Sequence, residues 1–249
     1  MGAGAIPQHA DLSSPVIGLI AALPMEVQCL AGRLHPGACV TLKGSNRLRL
    51  CGLGGDNARR AATALADSGA TALLSWGSAG GLDPRLPTGA LILPRIVVTA
   101  DGRRFPVSAN WRAKLHDLIS RQMAAEAGNL LQSPQPVETT QQKQALFART
   151  GAVAVDTESA AIAEVAALRK LPFVAIRAVL DPASRALPPS ALAAVDSSGR
   201  LRVRQLVRGL LHHPKDLPAV VRLQSDLRHA CATLGAVASL MGLHHRVWE

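Results

Sequence analysis

The chain has 249 residues, of which 48% are apolar, 2% aromatic and 18% charged, and its 27 Lys and Arg against 17 Asp and Glu leave a formal net charge of +10. That apolar content supports one globular domain or two small ones and excludes a disordered chain. The longest apolar stretches, 16–23 and 174–180, are interrupted or bounded by Pro, Arg or Asp, well short of the roughly 18 residues a membrane span requires.

Residues 1–15 contain neither a basic run nor a long apolar one, so they are expected to form a flexible N-terminus without targeting function, and the chain to be cytoplasmic. From residue 16 onward, apolar β-branched runs alternate with amphipathic stretches. The runs predict strands at 16–23, 39–43, 47–51, 70–76, 90–98, 130–137, 152–155 and 173–180, and helices at 24–34, 56–68, 109–124, 140–150 and 157–170. This alternation predicts a single α/β domain, with a central mixed, mostly parallel twisted sheet flanked by helices, over 16–183.

After residue 183 the pattern changes to a basic helical extension, 184–249, packed on or beside that core. Val220, Leu223, Leu227, Cys231, Leu234, Val237 and Met241 recur there every three or four residues. Two readings of this stripe stand: a helix completing the core or an oligomer interface, and a helix lying on a membrane surface beside Arg200, Arg202, Arg204 and Arg208.

Cys29, Cys39, Cys51 and Cys231 lie without C-x-x-C spacing among apolar neighbours, which predicts buried thiols rather than a disulfide framework. The pairs His212-His213 and His244-His245 lack flanking acidic ligands, so no metal is expected. The positive charge invites a nucleic-acid reading, but the densest basic run has no aromatic residue beside it to stack on bases, and no nucleic-acid partner is expected.

Chemistry in an open α/β sheet gathers beyond the carboxyl ends of the strands. Four predicted ends are suggestive: Glu26 after the first, the run Gly77-Ser78-Ala79-Gly80-Gly81 after the fourth, Asp156-Thr157-Glu158 after the seventh and Asp181 after the eighth. Were the strands parallel there, three carboxylates and a Gly-rich turn would share one cleft. Oriented carboxylates suit a cationic, oxocarbenium-like transition state, as in glycosidic-bond cleavage. The Gly-rich turn serves equally as an anion or water site, or as a plain tight turn. The segment 52–58 matches a dinucleotide fingerprint poorly, Asn57 replacing its third glycine, so no nicotinamide cofactor, and no cofactor of any kind, is expected.

Five segments in this order, 17–22 with Glu26, 51–55, 76–82, 155–163 and 172–181, resemble the purine nucleoside and uridine phosphorylase superfamily, and within it the methylthioadenosine/S-adenosylhomocysteine nucleosidases. The resemblance implies that Asp181 protonates N7 of a departing purine, that Glu158 in its ionised form grips the ribose hydroxyls, and that Glu26 orients the attacking water. It places Ser78 in the nucleophile pocket and puts Gly54, Gly80, Thr139 and Thr157 among the substrate-binding positions. Thr157 stands where the family has Met, and 136–140 lacks the aromatic lid, so Phe105 is the substitute for stacking on the base. Where phosphorylases of the bacterial purine type carry a phosphate-binding arginine, this chain has Ser75 and Trp76, which favours water as nucleophile. Inorganic phosphate is the alternative, served by Arg47, Arg49 or Arg103.

The segments 181–189, 195–196 and 199–200 look like the hopanoid-associated branch of the superfamily. That likeness implies an adenine nucleoside lipid, adenosylhopane, as substrate, with adenine released and ribosylhopane left. It also implies a homo-oligomer, with a dimer favoured, and a location peripheral to the inner membrane through the C-terminal helices. A non-catalytic nucleoside or lipid-binding protein is the reading from another class.

Overall fold

Two strands are apolar along almost their whole length, and both become central. They are β4 (Ala72–Gly81) and β11 (Phe173–Asp181), paired in parallel from Phe173 opposite Leu73 onward in the computed structural model. The structure describes residues 15–243 apart from Pro36 and Ser197, so the expectations placed on 1–14 and on His244-His245 lie outside it.

On the other side of β4 lies β1 (Ile17–Ala21), parallel to it and to β3 (Arg47–Leu50), with β2 (Cys39–Thr41) antiparallel at that edge. The sheet continues from the far end of β4 through β10 (Ala152–Asp156), β9 (Asn129–Gln132), β6 (Ile96–Thr99) and β7 (Arg104–Pro106). Two short strands, β5 (Leu91–Ile92) and β8 (Ala125–Glu126), extend it beyond β11. The sheet is therefore mixed, and helices pack on it as the alternating pattern requires. They are α1 (Gln28–Ala31), α2 (Gly55–Asp67), α3 (Ala109–Ile119), α4 (Thr140–Thr150), α5 (Ser159–Arg169), α6 (Pro189–Ala193), α7 (Val203–His212) and α8 (Leu217–Met241).

Several predicted elements are altered for identifiable reasons. The strand expected at 90–98 is split into β5 and β6 around Pro94, which has no N–H to give a ladder. The helix expected at 24–34 is a 3-10 turn, Pro24–Val27, followed by the short α1, which ends at Gly32 with φ +67°. The Gly-rich run 77–81 is not a turn but the second half of β4, where missing side chains let the strand bend so that β10 takes up the edge that β1 leaves after Ser75, while β11 stays paired on the other edge through Gly80. Of the thiols expected to be buried, Cys39 is exposed on the edge strand and the other three are half-buried.

Of the predicted stripe of the tail, Leu234 and Val237 are fully buried, together with Ala230 and Ala238 of α8, in the same apolar cluster as the sheet, and the other five are half-buried. In α7, by contrast, no residue is buried. Among the described residues no helix is long and apolar enough to cross a membrane.

Candidate active site

Glu26 is fixed by the turn that follows β1. Pro24 starts that turn, and the indole N–H of Trp76 donates to the Glu26 carbonyl at 2.9 Å, so its backbone is tied to β4. The buried carboxylate accepts from the Leu23 amide at 3.0 Å through Oε2, and from the Ser78 amide and hydroxyl at 2.8 and 2.7 Å through Oε1. Gly77 makes room for it. Gly77 has φ +153°, and a Cβ there would stand 2.8 to 2.9 Å from the Glu26 carboxyl atoms, so a larger residue would push the carboxylate out.

Glu158 reaches the same cavity from the β10 end. Because β10 runs antiparallel to the bent end of β4, with Val155 opposite Gly80, the residues after Val155 travel back toward Ser78. Its Oε1 accepts from the Gly54 amide at 2.7 Å and from the Thr157 hydroxyl. Gly54, with φ +93°, turns the chain into α2 so that this N–H points at the carboxylate. A small cavity is lined by Glu26, Ser78, Glu158, Cys51, Trp76 and Arg177, among others.

Beneath Glu158 lies a buried polar network. Arg177 donates from Nε to Asp156 at 2.8 Å and from Nη2 to the hydroxyls of Ser75 and Ser159 at 2.6 and 2.8 Å. Burial and the nearby Asp156 charge push the Glu158 carboxyl up to about 7, against the opposing pull of Thr157, the Gly54 amide and Arg177. Full ionisation, which the sequence resemblance asks of Glu158, is therefore reached only above neutral pH.

Asp181 occupies a different place from the one its strand-end position suggests. The register of β11 on β4 shifts between Val179 and Asp181, and the carboxylate is gripped by Lys143 of α4, whose Nζ lies 2.5 Å from Oδ2. This lysine is completely buried. It also donates to the carbonyls of Asp181, Pro182 and Arg185 at 3.0, 3.0 and 2.8 Å. Burial pushes the Asp181 carboxyl upward and the Lys143 ammonium opposes it. Asp181 lines a second cavity of ≈ 200 Å³, with Arg185, Arg222 and Asp226 on its wall. The expected single cleft with three carboxylates is thus two neighbouring cavities: Glu26 and Glu158 face one, Asp181 the other. Gly80, two residues beyond Ser78 on β4, has the Asp181 carboxyl oxygens 3.4 and 3.6 Å from where its Cβ would be.

The remaining sequence-derived positions divide. Thr157 touches Glu158 directly. Thr139 is the N-cap of α4, accepting from the Gln142 amide at 3.2 Å, and so acts on the shape of the helix that carries Lys143. Phe105 does not face either cavity: it sits on the edge strand β7 with the Arg103 guanidinium 5.8 Å above its ring. The arginines proposed for phosphate are occupied elsewhere in two of three cases, Arg103 by Asp101 and Glu164 and Arg47 by the Ser68 carbonyl. Among the described residues no group of His, Cys, Asp and Glu could hold a metal ion.

Sequence reasoning missed Lys143 and Arg177, and it set Asp156 at a strand end without its partner Arg177. Arg177 carried a signal, since a charge inside an otherwise apolar buried strand must find a partner. Lys143, within an ordinary helical stretch, carried none.

A family model described as the phosphorylase superfamily matches residues 17–212. The chain belongs to the phosphorylase superfamily. As a member it is an enzyme of the nucleosidase or phosphorylase kind. Its fold is similar to that of the 5′-methylthioadenosine/S-adenosylhomocysteine nucleosidase of Neisseria meningitidis, solved with methylthio-immucillin-A, at TM-score 0.67 and 20% identity, covering 92% of this chain and 98% of that one. The corresponding Helicobacter pylori nucleosidase bound to butyl-thio-DADMe-Immucillin-A aligns at TM-score 0.64 and 16% identity over 90% of this chain and 98% of that one. The native futalosine hydrolase of Helicobacter pylori aligns at TM-score 0.62 and 15% identity, over 90% and 97% of the respective chains. No functionally curated protein matches the sequence.

Proposed function

We propose that this enzyme cleaves the N-glycosidic bond of an adenine nucleoside with water as the nucleophile. The observation that carries the reading is Glu26, hung between the Leu23 amide and Ser78 on one wall of a cavity whose other wall presents Glu158. Glu158 would accept from the ribose hydroxyls, and Glu26 would orient a water at the anomeric carbon and take its proton. The bond from C1′ to the purine nitrogen breaks with its electron pair going to the base, which receives a proton at N7 from the protonated form of Asp181, leaving a carboxylate that pairs with the Lys143 ammonium. The water oxygen bonds to C1′, so free adenine and a free sugar result. Arg177, the guanidinium lining the Glu26 cavity, is committed to Asp156, Ser75 and Ser159, which supports water over phosphate.

For the substrate we propose adenosylhopane, an adenine nucleoside whose 5′ carbon carries the hopane. Its support is the likeness of 181–200 to the hopanoid-associated branch.

The test is a panel of methylthioadenosine, inosine and adenosylhopane, each with and without phosphate, with free base measured by chromatography. Adenine release from adenosylhopane without phosphate is expected. Strict phosphate dependence would replace hydrolysis by phosphorolysis, and tight binding without release would leave a binding protein. Asp181→Asn, which cannot deliver a proton, should lower kcat by about 10²- to 10⁴-fold while KM changes little. Unchanged turnover would remove Asp181 from the reaction.

A further inference from the structure

Eight large apolar side chains stand exposed among the described residues, and six of them, Leu201, Val203, Val207, Leu211, Leu217 and Val221, fall within one short segment. The shape of α7 accounts for half of these six. Leu206, Gly209 and Leu210 turn inward, with a Cβ at Gly209 only 3.1 Å from the Ser190 Cβ of α6, so the opposite face points away from the domain. That outer face presents Val203, Val207 and Leu211 beside Arg204 and Arg208, all exposed. Neither arginine forms an ion pair among the described residues, although Arg202 next to them pairs with Asp196.

The charge around this apolar strip is one-sided. Residues 200–222 contain five Arg and one Lys against a single Asp, and no Phe, Tyr or Trp. We infer that α7 and the first turn of α8 dock onto an anionic lipid surface, the valines and leucines entering the acyl boundary and the arginines meeting headgroup phosphates. Aliphatic side chains flanked by arginines on one helix face have the form such adsorption requires. A second copy of this chain is a poorer occupant, because a two-fold interface would set this cationic face against itself. Nucleic acid is poorer too, since aliphatic side chains offer bases nothing to stack on. The docking does not depend on which bond the enzyme breaks.

Co-sedimentation with vesicles tests it. The full chain should bind phosphatidylcholine vesicles containing phosphatidylglycerol at least about tenfold better than phosphatidylcholine alone, and the difference should shrink in high salt. Val207→Asp with Leu211→Asp, and separately Arg204→Glu with Arg208→Glu, should reduce binding to the level of neutral vesicles. All four side chains are exposed, so the melting temperature should stay that of the parent. Equal binding to both vesicle types, no binding to either, or retention by both variants would overturn the inference. So would a parent dimer in gel filtration that the Asp variant dissociates without any change in vesicle binding, which would make the face a self-interface.

Discussion

Glu158 is a carboxyl that the fold holds partly against its own ionisation. Its pKa stands at about 7 in the folded chain against an ordinary 4.5, raised first by burial and then by Asp156. Between those values the folded protein binds a proton that the unfolded chain has lost. The stability linked to this group is therefore complete below about pH 4.5 and is lost as pH rises through about 7. A shift of that size is worth about 3 kcal/mol as an upper bound. Glu158→Gln keeps an acceptor for the Gly54 amide and removes the charge. The variant should melt with the parent near pH 4.5 and several degrees above it at pH 8, and a gap that does not widen between those pH values would show that Glu158 is not held up. Activity runs the opposite way, because only the ionised form accepts from two ribose hydroxyls. The parent's kcat/KM should climb through about pH 7, and the Gln variant should lose that limb. The residue types of this site could be read from the sequence, since Glu26, Glu158 and Asp181 each close a predicted strand. Their settings could not: the Asp156 charge raising Glu158 and the Gly77 space admitting Glu26 arise only when distant segments meet.

Among the elements, α4 has the consequence least visible in its residues. Thr139 and Gln142 cap it reciprocally, and one turn later Lys143 passes under the loop that leaves β11. Four oxygens surround its ammonium, so the helix clamps residues 181–185 as well as neutralising Asp181. Lys143→Met fills much of the volume and supplies none of the donors. Removing one partner of a buried ion pair costs about 3 to 5 kcal/mol, which for a chain of this size lowers Tm by on the order of 10 °C. Without the ammonium, burial acts on Asp181 unopposed and its pKa moves further up. The alkaline fall of kcat, where the acid loses its proton, should then shift to higher pH. A thermal melt and a pH–rate profile of the variant check both, and an unchanged Tm would mean that the pair does not form in solution. Periodicity placed α4 within its observed limits because its cap and its terminal Gly151 both lie in the local sequence. It mistook 77–81 for a turn, since glycines that bend a strand and glycines that end one look alike until the neighbouring strands are known.

At the scale of the whole molecule, α8 decides whether the tail is an appendage or part of the catalytic body. The period of its apolar residues predicted a buried stripe but not the surface that would cover it. In the fold it spans both halves of the site. The Cys231 thiol donates to the Met25 carbonyl at 3.5 Å, beside Glu26, and Asp226 pairs with Arg185 in the loop that Lys143 clamps. Leu234, about one turn beyond Cys231, has no exposed surface. Leu234→Ala should cost about 2 to 5 kcal/mol, the transfer free energy plus the cavity left behind, and lower Tm by roughly 5 to 15 °C. Because α8 shares its apolar cluster with β11 and β4, the loss should appear as one cooperative transition moved to lower temperature. Calorimetry distinguishes the alternatives. A melt that splits in two, with the upper transition at the parent's temperature, would make residues 217–241 a separately folding annex and detach the Glu26 turn from the helix that braces it.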